Sequence, residues 1–552
     1  MFKVYVLNNS FDCVSTTSVG RALVLVQDGH ADVVKWSDKV VRTTRELVKI
    51  PLIIRIFRYV RAFGRALKFD RHFVWERDNW TCFVPETLIL MSNGDLKPIS
   101  AVLPGERVVD AYGNFVEVVN SRKKSYSGPL YRIRKRCCGD IMGVTPEHKI
   151  LATSRDGKFD SSGVLVSSFL KDNKWFLFEP SFVKIIDESR LTIDLLQECH
   201  GKIKQLYVMD YGKTLRIGLA RGKKTNRFVA RDFDLGRLFG YFLSEGCVKS
   251  YRNVVDFCFN IKENRFIDDV VGIIKDKFGI QCKVRRNIYR HTAHVYCCSG
   301  ILNVMFRGIL DSSLEKRMRD KKYPKRFLEG VLVGMLLGDG CFNVELKRCV
   351  LDLGNEMLVR DMYVVASMLG IFPSLSTTLH RDDRKPSKSI VFQGFAWNSL
   401  IPLVRPFLDI EMAKHENPSS DRMKSGSLTM TGVTKYSIEE YCGDVWDLET
   451  SESHTYIANF TAVHNCQYCG VKIKTKAELT TDHVHPESKG GKAVYENMVT
   501  CCKACNAKKD NKTCAEAHMF PTRKPFMPQM SRSMAKVADE ARRLLAIMDR
   551  DA

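Results

Sequence analysis

The stretch VWDLETSESHTYIANFTAVHN, Val445 to Asn465, runs straight into Cys466, so that its end reads Val463-His464-Asn465-Cys466. An asparagine followed by a cysteine carries a particular chemistry. The asparagine side-chain nitrogen can attack its own backbone carbonyl, cyclise and release Cys466 with a free amino group, and His464 stands where it can supply the proton. A second junction of the same character lies far upstream, at Thr81-Cys82. A cysteine thiol there can attack the carbonyl of its own preceding peptide bond, turning an amide into a thioester, and the Cys466 thiol can then take over the acyl group. Taken together, the two junctions imply that Cys82 to Asn465 leaves the chain and that Thr81 becomes joined to Cys466 by an amide.

The texture of the sequence between the junctions agrees with a single excisable body. From Cys82 onward short alternating strands are separated by turn signals at Asn93-Gly94-Asp95, Pro104-Gly105 and Tyr112-Gly113-Asn114, which predicts a compact all-β unit. Between about Asp232 and Phe407 the pattern becomes mixed and helical, and short strands return at Val445 to Leu448 and Thr455 to Val463. This order predicts one domain placed within another. With the segment removed, FVWERDNWT is followed by CQYCG, and the flanks read as one continuous protein.

These junctions resemble the terminal blocks of inteins, and the resemblance covers both edges of the segment in the expected order. GVTPEHKI, Gly143 to Ile150, is similar to the intein block whose threonine and histidine polarise the upstream scissile bond. The resemblance therefore implies that Thr145 and His148 act on the Thr81-Cys82 bond, that Asp447 tunes Cys82, and that His454 joins His464 in assisting Asn465. It implies an all-β Hint fold and no cofactor for splicing.

Inside the segment, LFGYFLSEG (Leu238 to Gly246) and LVGMLLGDG (Leu332 to Gly340) share Leu first, Gly third, an acid eighth and Gly last. On helices, Gly240 with Ser244 and Gly334 with Gly338 lie four apart on one face, which lets two helices pack with their backbones close. The terminal glycines suit helix stops. Glu245 and Asp339 would then meet at neighbouring helix C-termini, where the partial negative charge adds to two carboxylates and favours a divalent cation able to support phosphodiester cleavage. The pair resembles the LAGLIDADG homing endonucleases, with Lys322-Tyr323-Pro324 at the family's spacing before the second copy. That resemblance implies an αββαββα half repeated twice, with Glu245 standing where the family more often has aspartate.

Beyond the downstream junction, Cys466-x-x-Cys469 and Cys502-x-x-Cys505 have the spacing of a four-cysteine structural zinc site. The intervening TTDHVHPESKGGKAVYENMV, with CKACNAKK after it, resembles the HNH endonucleases. The resemblance implies that His483 is the general base, that Asp482 and Asn506 hold a catalytic magnesium, and that Asn497 braces the loop carrying His483. His485 is a nearby alternative, with a supporting or structural role as its default. Cys466 would serve twice, first as splicing nucleophile and then as zinc ligand, so that zinc binding before splicing is expected to inhibit it.

Composition sets the partners. The net charge of +23 points to polyanions, and double-stranded DNA leads that list. The 19 cysteines, several in Cys-Cys or Cys-x-x-Cys pairs without a secretory leader, favour thiol and metal chemistry in a reducing cytoplasm over disulfides. No apolar run is long enough to cross a bilayer, and no obligate protein partner is evident. The expected architecture is multidomain: an all-β Hint splicing domain interrupted by an α+β LAGLIDADG endonuclease, flanked by an α+β, zinc-stapled HNH host of ββα-metal type. Its expected parts are 1–81, the N-terminal host region, which opens with the strand-like KVYVLN as a small α/β piece; 82–200 and 426–465, the two splicing regions; 201–425, the LAGLIDADG nuclease with linkers; and 466–552, the HNH nuclease, ending in a predicted helix from Met534 to Met548.

Overall fold

The structure is a computed structural model that describes residues 3–8, 13–42, 47–57, 82–146, 148–154, 164–165, 175–179, 183–199, 208–210, 212, 214–217, 224–249, 253–308, 315–378, 387–416, 422–425, 428–451, 455–464, 479–517, 519, 521 and 525. The chain divides into two compact units. One comprises 80–474 and the other 1–79 with 475–552.

In the larger unit, the two stretches read as strands from sequence come back together. Phe115–Lys135 and Leu428–Thr450 form a long antiparallel ribbon whose register runs from Lys135 opposite Val433 to Val118 opposite Thr450. Beside it lies a six-stranded sheet in the order Val164–Leu165, Lys149–Ile150, Thr461–His464, Thr455–Ala458, Leu88–Leu90, Leu96–Pro98. Alternating side chains from both layers, among them Phe83, Val116, Val118, Ile133, Val144, Ile150, Tyr456 and Val463, fill one buried core. Strands dominate this part of the chain, with a short helix at Leu195–Cys199.

Between these strands the chain builds the same element series twice. Helix Phe233–Glu245, strands Gly246–Lys249 and Val254–Asn260, helix Asn264–Phe278, strands Lys283–Asn287 and Thr292–Cys298, and helix Gly300–Arg307 make the first half. Helix Lys325–Asp339, strands Gly340–Asn343 and Arg348–Leu353, helix Glu356–Met368, strands Ser374–Thr378 and Ser387–Gln393, and helix Phe395–Val404 make the second. In each half the four strands stand in the spatial order first, second, fourth, third. The repeated αββαββα pattern is thus observed.

The two leading helices of the halves pack against each other through glycine. A Cβ at Gly240 would run into the Val331 carbonyl, and one at Gly334 into the Arg237 carbonyl, so no side chain larger than hydrogen fits at either crossing point. The contact extends one turn further than the sequence motif, through Gly236 and Gly330. The terminal glycines depart from expectation. Gly246 and Gly340 do end the helices, but with φ of −84° and −78° they are extended, not left-handed. They are glycines because a Cβ would strike the preceding helical turn at Phe242 and Leu336 respectively.

The smaller unit begins with a four-stranded sheet in the order Cys13–Ser18, Lys3–Leu7, Leu47–Ile56, Ala31–Arg42, with helix Val19–Gln27 capped by the Ser18 hydroxyl. Val4, Val6, Ala22, Ala31 and Ile54 form its core. Strands and a helix together make this an α/β piece, with RALVLV, Arg21 to Val26, in the helix. Further on, strands Leu479–His483 and Met498–Cys502 pair antiparallel and lead into helix Lys503–Lys509, a ββα unit. The helix predicted at Met534 to Met548 lies outside the described residues.

Candidate active sites

Cys82 is buried between the ribbon and the strand Cys138–Val144. Its backbone amide, the nitrogen of the Thr81-Cys82 bond, donates to Thr145 Oγ1 at 3.1 Å, and the Thr145 amide donates back to the Cys82 carbonyl at 3.1 Å. The next residue, Phe83, exchanges two 2.7 Å backbone hydrogen bonds with Trp446 and sets its ring edgewise on His148, with centroids 4.2 Å apart. His148 is fully buried. Asp447, adjacent to Trp446 and also buried, accepts a 3.0 Å hydrogen bond from the Tyr456 hydroxyl. Burial pushes the Tyr456 phenol well above its ordinary pKa, and the neighbouring Cys82 adds to that shift.

The downstream junction approaches the same short loop. Lys149 stands opposite His464 and Ile150 opposite Val463, and the Leu151 amide donates to the Ala462 carbonyl at 2.9 Å. The segment from Thr145 to Ile150 therefore touches the upstream bond at one end and the strand leading to Asn465 at the other. Of the residues to which the sequence pointed, Thr145 bonds to the Cys82 backbone, His148 packs on Phe83, and Asp447 follows Trp446, the residue that pairs with Phe83. Tyr456 escaped notice because a tyrosine in a β-strand reads as core. The positions of His454, Asn465 and Cys466, and the His464 side chain, lie outside the described residues.

Glu245 and Asp339 are the last residues of the paired helices. Burial raises the Glu245 pKa to about 7, with the negative charges of Asp339 and Glu263 adding to it. Burial also raises Asp339, opposed by the Lys316 ammonium. Lys316 donates to the Ser244 carbonyl at 2.8 Å, and burial lowers its pKa against the pull of the two carboxylates. Two carboxylates held at helix C-termini, Glu245 half-buried and Asp339 exposed, with the single Lys316 ammonium beside them, fit a hard divalent cation. No cluster of three or more His, Cys, Asp or Glu suited to a metal occurs among the described residues. Water and phosphate oxygens would complete the coordination around this pair. Lys316 sits in the run LEKRMRDKK, where nothing sets one cation apart from its neighbours.

In the ββα unit, Asn497 ties the residues after His483 together by hydrogen bonds. Its Oδ1 accepts from the His485 amide at 2.8 Å and its Nδ2 donates to the carbonyls of His485 and Lys492 at 3.0 Å each. His485 Nε2 contacts the Lys489 carbonyl at 2.9 Å, in keeping with a structural role. His483 Nε2 is buried and has no hydrogen-bond partner among the described residues. Asp482 is buried and paired at 2.9 Å with Lys509, itself fully buried, whose ammonium also donates to the His483 carbonyl at 2.7 Å. A magnesium ligand at Asp482 would thus share its carboxylate with Lys509, a residue that sequence reading passed over as one of several lysines. Asn506 and Cys505 lie in helix Lys503–Lys509 and Cys502 ends the preceding strand. Cys466 and Cys469 lie outside the described residues.

Three family models match parts of the chain. Residues 466–512 match the HNH endonuclease family, 4–62 the HNH endonuclease-associated N-terminal domain, and 232–313 the LAGLIDADG-like domain. An uncharacterised protein of Methanocaldococcus jannaschii is 21% identical over 70% of this chain and 50% of its own length. An ATP-dependent DNA helicase of Thermococcus kodakarensis is 22% identical over 70% of this chain and 36% of its own. The chain thus spans half or less of these relatives. Among solved structures, the homing endonuclease I-DmoI in complex with DNA and calcium is similar over 33% of this chain and 92% of its own (14% identity, TM-score 0.24), and the gp41-1 intein over 18% and 69% (21% identity, TM-score 0.15). No helix among the described residues is long and apolar enough to cross a membrane. The chain contains an HNH endonuclease domain and a LAGLIDADG-like domain.

Proposed function

We propose that the chain is a self-splicing precursor in which Cys82 to Asn465 excises itself, joins Thr81 to Cys466, and yields an HNH DNA endonuclease together with a Hint-type intein bearing a homing endonuclease. The observation that carries this reading is the hydrogen bond between the Cys82 amide and Thr145, within a loop whose far end pairs with His464. The Cys82 thiol attacks the Thr81 carbonyl as Thr145 holds the departing nitrogen. His148, buried beside Phe83, donates the proton that this nitrogen needs to leave. Cys466 then takes the acyl group, and Asn465 cyclises with help from His464 and His454. The final shift from sulfur to nitrogen is spontaneous.

Curated relatives support the reading from another side. The matched proteins bear names as unlike as a DNA helicase, a DNA polymerase and an iron–sulfur cluster assembly protein. Two of these matches, to the helicase and to the assembly protein, cover 70% of this chain, the share that Cys82 to Asn465 occupies. A segment shared by proteins of unrelated naming is what an excisable insert produces.

For the nucleases, Glu245 and Asp339 would hold a divalent cation, which when bound supplies an activated water and charge stabilisation at the scissile phosphate. In the released host, His483 serves as general base, Asn497 fixes its loop, and Cys466, Cys469, Cys502 and Cys505 hold a structural zinc. Double-stranded DNA is the partner of both. Mass spectrometry of the expressed chain tests the proposal: it should give the free segment and the ligated flanks, while a single full-length mass contradicts it.

A further inference from the structure

The hairpin Thr455–Ala458 and Thr461–His464, which leads into the downstream junction, has two buried faces. Tyr456, Ala458 and Val463 belong to the core of the β unit, whereas Ile457, Phe460 and Ala462 are packed into the core that the two αββαββα halves share. The alternation of a strand accounts for the division. It leaves the hairpin with no solvent face of its own.

The tip of this hairpin is held from two sides, by the β unit and by the helix Glu356–Met368. Asn459 and Phe460 form a two-residue turn with φ of +44° and +58°. Asparagine tolerates this region, but phenylalanine does not adopt it without support. Asn459 is fixed by the Leu88 amide on its Oδ1 at 2.8 Å. The support for Phe460 comes from Tyr363 on helix Glu356–Met368, whose ring centre lies 4.9 Å away, and from Lys135, which donates to the Phe460 carbonyl at 2.6 Å. The same helix is anchored to the β unit on both sides. Arg360 makes a two-pronged ion pair with Asp140 at 2.8 and 2.9 Å, which Lys388 joins at 2.9 Å. Asp361 gathers Arg317 and Lys321, and these reach Asp95 at 2.9 Å and the Gly94 carbonyl at 2.8 Å.

We infer that the second αββαββα half is a positioning element for splicing: through Tyr363 and Phe460 it sets the hairpin that presents His464 and Asn465. The inference rests on the splicing reading above. It makes the nuclease fold a part of the splicing machinery that cannot be removed without loss, independent of any DNA cleavage. Its effect falls first on asparagine cyclisation, since the Cys82 backbone hangs on Thr145 and, through Phe83, on Trp446, and neither lies in the Phe460 turn.

The test uses the full-length chain and follows two steps separately by mass spectrometry, thiol-triggered cleavage before Cys82 and release after Asn465. Tyr363→Ala should slow release after Asn465 roughly ten- to a hundred-fold, as expected for a misplaced reacting group, and leave thiol-triggered cleavage close to the parent rate. Lys135→Met, a gentler change, should act in the same direction, and Tyr363→Phe should restore the parent rate. Equal slowing of both steps, or an unchanged downstream step in both variants, overturns the inference. A parent chain that performs neither step instead overturns the splicing reading itself.

Discussion

The backbone nitrogen of Cys82 and the hydroxyl of Thr145, 63 residues apart in sequence, are joined by a 3.1 Å hydrogen bond in a buried setting. The nitrogen is the atom that must leave when the Cys82 thiol attacks Thr81. Thr145→Ala removes the acceptor and should slow thiol-triggered upstream cleavage by about a hundred-fold, the scale of one general acid–base contribution, with Asn465 cyclisation retained. Comparing the two cleavage products over time checks this.

Glu245 gives the nuclease a pH signature. Its pKa, raised to about 7 by burial and by Asp339, keeps it largely protonated in mildly acidic solution. Manganese affinity at the pair should therefore rise as pH increases through about 7, read by calorimetry. The sign for folding is the reverse: a carboxyl with a raised native pKa stabilises the metal-free fold at low pH and loses that contribution as pH climbs from the ordinary glutamate range toward 7. Added divalent cation should offset the loss, and Glu245→Gln should weaken both dependences, leaving the part that Asp339 contributes.

Where the paired helices cross, Gly334→Val would drive its side chain into the Arg237 carbonyl. Overpacking of this kind costs about 1–3 kcal/mol, more where backbone must move, and chemical denaturation of a Cys82→Ala precursor measures it.

Cys466 carries two proposed duties, and zinc sets them against each other. A metal-bound thiolate attacks poorly, so zinc added to purified precursor should slow splicing, and a chelator should restore it. An unchanged splicing rate contradicts this coupling.

Lys509 neutralises Asp482 inside the ββα unit. Lys509→Met strands a buried carboxylate and should destabilise this unit by about 3–5 kcal/mol, visible in its thermal unfolding. The double change with Asp482→Asn should recover part of the loss.

Sequence singled out the Thr145 loop and the repeated helices because their signals are local. Gly143 to Ile150 is a single continuous motif, and Gly240 and Gly334 recur in two matching nonapeptides. The same locality explains what stayed hidden. Gly236 and Gly330 extend the helix crossing outside the motif, and only the packed pair reveals that their carbonyl neighbours leave no room. Tyr363 and Phe460 come together across 97 residues of chain, as two ordinary aromatics whose shared role depends on how the strand Thr455–Ala458 divides its faces. Lys316 and Lys509 are single members of lysine-rich runs, distinguished only by burial beside a carboxylate.

Intact-mass analysis of the expressed chain tests the central claim most directly. The account predicts two species, the excised Cys82 to Asn465 segment ending in a cyclised asparagine, and the flanks joined at Thr81-Cys466, with both replaced by a full-length precursor when Cys82 and Asn465 are changed to alanine. A chain that keeps its full mass with Cys82 and Asn465 intact would contradict it.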